Sequence, residues 1–381
     1  MTIFIIARGI PSKQEPQWGV FEFDQAKALA KLGHKIAYLS VDRRFRLFHR
    51  HIGFTKQIIE GITVFNSFIL PNALVHKLGE KVLFKFRVWQ LNKLYQKSVQ
   101  AVGKPDILYS HYLFVTQEAV ALKQKYGVPL VGIEHWSELN KTILPPRVLH
   151  FAKSYVHVDQ VIAVSNALQK TLKERFNINA IVVNNMVSDK FKYKQAISST
   201  NKIRFISVGS LIQRKGFDLL IEAFNRLQLP KERWELNIIG SGQERNELSH
   251  QIATAHLEQN IHLLGSRTSD EIVDLLNQSD VFALPSRMET FGVVYIEAMA
   301  CGLPVIATPC GGPEEFVTDS NGMLVPIDNV DELANAIQYM FNHYKEYHRE
   351  TIAQHCREQF SSEVIAKQLT HIFEDAIAKS K

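Results

Sequence analysis

Short apolar runs alternate with amphipathic stretches twice along this chain, and a polar segment separates the two series. In the first, Ile3–Ala7 is followed by a helically periodic stretch, Val20–Leu32, closed by Gly33, and then by Lys35–Ser40. Further runs follow at Ile107–Ser110, Leu130–Glu134, Val161–Val164 and Ala180–Asn184. The second series has runs at Ile203–Val208, Glu235–Ile239, Ile261–Leu264, Val281–Leu284 and Val305–Ala307. Strands apolar along their whole length, separated by helices, predict a parallel sheet covered on both faces. The N-terminal half is therefore expected to be one parallel sheet and the second half another. The segment from Ser188 to Asn201, with Lys190, Lys192 and Lys194 and little apolar pattern, predicts the linker. The expected division is residues 1–190 and 191–360, two doubly wound α/β domains. A helix over 361–381 could pack back on either, with Val364, Ile365, Leu369, Ile372, Phe373 and Ile377 at helical spacing.

With 381 residues the chain is too long for one ordinary core. No apolar run approaches the roughly 18 residues needed to cross a bilayer. The first residues lack a basic leader and meet Arg8 after a few apolar positions, so they read as a buried strand in a cytoplasmic protein. Three cysteines, Cys301, Cys310 and Cys356, make no C-x-x-C and fit a reducing compartment without structural zinc. Charge is uneven. Residues 1–200 carry 28 Lys and Arg against 13 Asp and Glu, and residues 201–381 carry 16 against 25. A basic half suits an anionic substrate, an anionic membrane or nucleic acid. No zinc finger or RNA-recognition signature accompanies it, so nucleic acid ranks last.

The stretch Pro285–Gly302 carries the most chemistry. It reads as strand, loop, helix and glycine stop. Glu289 falls just past a strand's carboxyl end, where open α/β sheets place ligands, and Gly292 allows close backbone approach at the helix start. Unsatisfied amides there suit a diphosphate. Glu297, eight residues on, can accept hydrogen bonds from ribose hydroxyls. Two glutamates at a fixed spacing are common on solvated surfaces, so the pair gains meaning from its neighbours. Arg214 and Lys215 lie after one strand and before the helix Leu219–Leu227, where cations meet phosphates.

Taken together, Gly-x-Leu-x-x-x-Lys-Gly at 209–216, Ile-Gly-x-Gly at 239–242, the spaced Glu289 and Glu297, Gly302-Leu-Pro-Val-Ile306 and Gly311-Gly312-Pro-Glu-Glu315 resemble glycosyltransferase family 4, along nearly the whole chain. The resemblance implies the GT-B fold, two Rossmann-like domains facing a central cleft, and retaining transfer from a nucleotide diphosphate sugar, most often a UDP-sugar. It implies that Lys215 and Arg214 bind the diphosphate with the Phe291, Gly292, Val293 and Val294 amides. Glu297 would hold the ribose and Glu289 the transferred sugar. His135, in Gly132-Ile-Glu-His-Trp136, matches the family's N-domain histidine facing that sugar, and Gly19 stands in the first loop near the diphosphate. There are departures: Trp18 replaces the first of a glycine pair, Ser210 a phosphate-binding arginine, and Met186 stands where Asn-Gly is usual.

No Asp-x-Asp occurs, so no metal site or cofactor is expected, and cations and amides would neutralise the leaving group. The expected partners are the nucleotide sugar and a glycan or polyprenyl-diphosphate-linked acceptor in cell-surface polysaccharide synthesis. An anionic membrane surface is a further expected contact, with the protein peripheral on the inner face of the cell membrane. Arg43, Arg44, Arg46 and Arg50 precede a predicted helix on which Lys77, Lys81 and Lys85 flank Val75, Leu78, Val82, Phe86 and Trp89. Such a stripe fits an anionic leaflet and, equally, ordinary core packing. The rival readings are a nucleotide-sugar epimerase of the same fold and a non-catalytic partner subunit. A dehydrogenase is excluded because neither half opens with Gly-x-Gly-x-x-Gly.

Overall fold

The computed structural model describes residues 1–11, 18–42, 52–69, 77, 79–140, 143–195, 202–227 and 229–380. It divides into two compact units, Met1–Asn184 with Ser362–Lys381, and Asn185–Ser361. The chain enters the second unit six residues before the expected boundary at 190. The reason is local: Val187 pairs with Ser361 in a parallel bridge and donates its N–H to the Phe360 carbonyl. The polar lysines beyond are tied to the same unit, Lys190 to Asp270 and Lys194 to Asp274.

The first unit is built on eight strands in the order β3-β4-β2-β1-β5-β6-β7-β8. They are β1 (Thr2–Ala7), β2 (Lys35–Val41), β3 (Gly53–Ile59), β4 (Ile62–Phe68), β5 (Ile107–His111), β6 (Leu130–Glu134), β7 (Gln160–Ala163) and β8 (Ala180–Val182). The central strands are buried on both faces, as their unbroken apolar runs require. One correction is needed to the expected all-parallel sheet. β3 runs antiparallel to β4 at the edge, joined by Glu60 and Gly61, both at positive φ. That turn has the twist a two-residue hairpin needs.

Alternation along β1 sends Phe4 and Ile6 to one face, where Leu91, Leu94 and Tyr95 of helix α2 (Glu80–Val102) and Val115 and Ala119 of helix α3 (Leu113–Tyr126) close over them. The other face is covered by α1 (Val20–Lys31) and by the C-terminal helix, which packs on α1 and sets Phe373 against Tyr109 at 4.9 Å between ring centroids. The C-terminal helix thus belongs to the first unit.

The second unit has six parallel strands, β9 (Ile203–Val208), β10 (Trp234–Ile239), β11 (Ile261–Gly265), β12 (Val281–Ala283), β13 (Val305–Ala307) and β14 (Gly322–Leu324), in the order β11-β10-β9-β12-β13-β14. From β9 the chain winds outward to β10 and β11, then returns to the other side of β9 with β12. In such a sheet ligands bind at the strands' carboxyl ends beside the reversal, which here is where the loops after β9 and β12 lie. In the first unit the reversal lies between β1 and β5. All three cysteines are buried free thiols, and burial raises each to about 12.

Candidate active site

The β9 reversal gathers the second unit's expected residues. After β9 the chain makes a single 3-10 turn, Gln213–Lys215, and Gly216 at φ 70 starts the helix Phe217–Arg226. Any side chain at 216 would put its Cβ 2.1 Å from the Pro285 carbonyl oxygen, so only glycine lets this loop lie against the one after β12. Gly240 and Gly242 approach the Gly209 and Leu211 carbonyls as closely.

Across this contact Lys215 Nζ lies 2.5 Å from Glu289 Oε1, with Lys215 9% and Glu289 6% exposed. Ser286 Oγ donates to the same carboxylate oxygen at 2.8 Å, and the Glu289 N–H to the Cys310 carbonyl at 3.0 Å. The Ser286 carbonyl in turn accepts from the Thr308 hydroxyl. A buried ion pair gains little over an apolar pair of the same volume, because desolvation cancels most of the Coulomb attraction. Stability alone does not account for this one.

Arg287 fastens the two loops. Its guanidinium donates to both Asp218 oxygens at 2.9 and 2.7 Å, to Asp328 at 2.6 Å and to the Gln213 carbonyl at 2.6 Å, while its own N–H reaches the Arg214 carbonyl at 2.7 Å. The Asp218 hydrogen bond and then the Asp328 contact hold its pKa above the usual arginine range, against burial. Arg214 itself is half-buried beside Lys215.

The helix Val293–Ala300 begins at Gly292, φ 92, with no side-chain cap, so the first-turn amides at Val293 and Val294 have no carbonyl within the helix to meet. The Phe291 ring is core, packed on Phe316 and Phe360 at 5.2 and 5.7 Å. Glu297 is half-buried one turn into the helix.

In the first unit, Gly19 (φ 78) caps α1, and a Cβ there would stand 2.5 Å from the Gly9 carbonyl. Arg8, at the end of β1, lies over the Trp18 ring at 4.8 Å and the Tyr112 ring at 4.4 Å. Its Nε is 2.8 Å from the buried Glu22 carboxylate. Burial raises the Glu22 pKa and Arg8 opposes the rise. Tyr112 is 5.2 Å from the His135 ring, so these contacts run from the Gly19 loop to His135. Glu134 fixes the turn that carries His135. It accepts from the N–H groups of His135, Trp136 and Leu113 at 2.8, 2.7 and 2.9 Å and from Tyr155 Oη at 2.7 Å.

The sequence reading passed over Ser286, Arg287, Arg8 and His111, the last of which touches His135. His111 follows the run Ile107–Ser110 as His135 follows Leu130–Glu134, and the same strand-end argument would have found it. Arg43, Arg44, Arg46, Arg50, Val75 and Leu78 lie outside the described residues.

Residues 189–355 match the family of glycosyl transferases group 1, and residues 20–191 match glycosyltransferase family 4. The chain belongs to the family 4 glycosyltransferases. It is 27% identical over 385 residues to N-acetyl-alpha-D-glucosaminyl L-malate synthase of Bacillus anthracis, covering 95% of each chain. Its fold superposes on sucrose-phosphate synthase from Thermosynechococcus elongatus with a TM-score of 0.78 over 99% of both chains, at 17% identity. Anabaena HepE, solved with UDP and glucose, superposes at 0.72 and 21% identity over 98% of this glycosyltransferase and 100% of HepE.

Proposed function

We propose that this glycosyltransferase moves a hexose or N-acetylhexosamine from a nucleotide diphosphate sugar, a UDP-sugar, to a glycan or lipid-linked acceptor, with retention and without a divalent metal. The observation that carries this reading is the Lys215–Glu289 pair at the β9 reversal, a buried ammonium beside a buried carboxylate where the fold places ligands. Lys215, Arg214 and the Val293 and Val294 amides receive the diphosphate and stabilise the charge that grows on it as the glycosidic bond breaks. Glu289 accepts hydrogen bonds from the sugar hydroxyls, and Glu297 from the ribose.

The acceptor hydroxyl attacks the anomeric carbon from the side that the diphosphate leaves. Its proton passes to a phosphate oxygen as the carbon–oxygen bond to phosphate breaks. The family resemblance assigns Gly19 a place near the diphosphate and His135 a hydroxyl of the transferred sugar. The Bacillus anthracis relative's name describes an α-linked N-acetylglucosaminyl product, and HepE is solved with UDP and glucose; both support the donor chosen here.

For the acceptor side, α2 supports a membrane contact. Its buried face runs through Leu83, Leu91, Leu94 and Tyr95, which leaves Val82 and Trp89 each 44% exposed, and Lys77, Lys81 and Lys85 are exposed with them. No helix among the described residues is long and apolar enough to cross a membrane. A Trp and three lysines suit the headgroup region of an anionic leaflet.

Proton NMR of nucleotide-sugar hydrolysis in EDTA tests the mechanism. Retention predicts that the α-anomer of the released sugar appears first. First appearance of the β-anomer would reject it.

A further inference from the structure

Arg8 follows β1 and Tyr112 follows β5, so both stand at the carboxyl ends of the two strands between which the first sheet reverses, where α/β folds place ligands. Three groups hold the Arg8 guanidinium. Its Nε donates to Glu22 Oε1 at 2.8 Å, and its central carbon lies 4.8 Å from the Trp18 ring and 4.4 Å from the Tyr112 ring. Each of the three comes at a cost to the fold. Glu22 is a fully buried carboxylate, and its Oε2 has no hydrogen-bond partner among the described residues. Tyr112 keeps φ 66 and ψ 138, a backbone conformation that residues other than glycine rarely adopt. Gly9 gives up its side chain to the Trp18 ring, whose Nε1 lies 1.7 Å from where a Cβ would stand.

The part of the arginine left unused is its fork. Of the five N–H donors on a guanidinium, only Nε–H has a partner among the described residues. An arginine–carboxylate pair that serves stability alone gains most from two parallel bonds, through Nε and Nη together. Here Glu22 is met through Nε alone. The Arg8 side chain remains 20% exposed, which leaves the four N–H groups of the two Nη atoms to a ligand. The Glu22 carboxylate offsets the charge of Arg8, so recognition depends on geometry. Two parallel donors match two oxygens carried on one atom, as in phosphate or carboxylate, and do not match a simple ion such as chloride.

We propose that Arg8 is an anion-binding residue of the first unit, its two Nη groups receiving a phosphate or carboxylate of a substrate. Tyr112 also lies 5.2 Å from the His135 ring, so the anion would sit near the residue assigned to the sugar. That the anion belongs to a substrate of sugar transfer rests on the function proposed above; the anion site itself does not. Its source is the donor's diphosphate or an anionic group on the acceptor.

Proton–nitrogen correlation of the arginine side chains in the full-length chain tests this. The Arg8 signal is assigned by its loss in Arg8→Lys or, if that variant does not fold, by its ring-current shift in Tyr112→Leu. The probes are inorganic phosphate, succinate and chloride at matched ionic strength, then UDP. The Arg8 signal should move and saturate with phosphate or succinate and stay in place with chloride. In Arg8→Lys, which keeps the charge and loses the fork, the phosphate affinity read from the Trp18 indole N–H should fall by about tenfold. A phosphate response that persists with UDP bound assigns the anion to the acceptor, and one that UDP replaces assigns it to the donor's diphosphate. Arg8 silent to phosphate, succinate and UDP, or moving equally with chloride, would overturn the proposal. A chain that binds no UDP while Arg8 still saturates with phosphate would reject the donor reading and leave the anion site standing.

Discussion

Lys215 and Glu289 come from loops that follow two different strands, yet their charged atoms sit 2.5 Å apart in a nearly closed environment. Removing one partner leaves the other charge buried without its countercharge. Lys215→Met is expected to cost about 3–5 kcal/mol of stability in urea unfolding. The double variant Lys215→Met/Glu289→Gln should regain most of that loss while sugar transfer stays down by about 10²-fold or more. Activity that returned together with stability would mean the pair is only structural.

Arg287 tests how far loop placement governs donor binding. Arg287→Lys keeps the charge and loses the two-pronged hold on Asp218. It should weaken nucleotide-sugar binding by about tenfold, close to 1.4 kcal/mol, with a smaller change in kcat. Titration calorimetry and steady-state rates on the same preparation measure both.

Two glycines with similar backbones separate strain from collision. Gly33→Ala, at φ 88 with nothing within 4 Å of the added carbon, should cost about 1–2 kcal/mol. Gly216→Ala adds the clash with Pro285 and should cost clearly more, with a matching loss of nucleotide-sugar affinity. Thermal unfolding of both variants gives the comparison.

His111 makes an acid-dependent prediction. Its folded pKa lies well below the model-compound value of 6.5, so under pH 6.5 the unfolded chain takes up a proton that the folded chain refuses. Stability from this group is therefore fully present above pH 6.5 and falls by up to about 1.4 kcal/mol per pH unit below it. Burial raises Glu22 and Glu134, which work in the opposite direction at acid pH, but they are the same in a His111→Asn variant. The difference in slope between the two proteins from pH 6.5 to 5 isolates His111.

On α2, Lys81→Glu with Lys85→Glu should reduce flotation with phosphatidylglycerol vesicles by tenfold or more, each lysine contributing about 1 kcal/mol near the surface. Hydrolysis of the nucleotide sugar in solution should not change.

Much of this was legible in the sequence because parallel strands announce themselves: a run such as Phe4-Ile5-Ile6 must be covered on both faces, and its loop must end where ligands bind. Lys215 and Glu289 were found by that logic together with family resemblance. The β3–β4 hairpin was missed although Glu60-Gly61 between two strand-like runs carries its turn chemistry. The six-residue shift of the boundary depended on one backbone pairing, Val187 with Ser361, which no local pattern encodes. Arg287 was passed over because its partners, Asp218 and Asp328, are distant in sequence and only the β9 reversal brings them together.

The most direct test of the central claim is a thermal-shift titration of the full chain with a panel of nucleotide diphosphate sugars in EDTA, run beside Lys215→Met, with products then identified. The account predicts that one nucleotide class stabilises the unmodified chain without metal, that the variant loses the shift, and that slow hydrolysis releases nucleotide and sugar. Absence of any stabilising nucleotide sugar, a strict need for magnesium, or conversion of the donor to an isomer with no nucleotide released would contradict it.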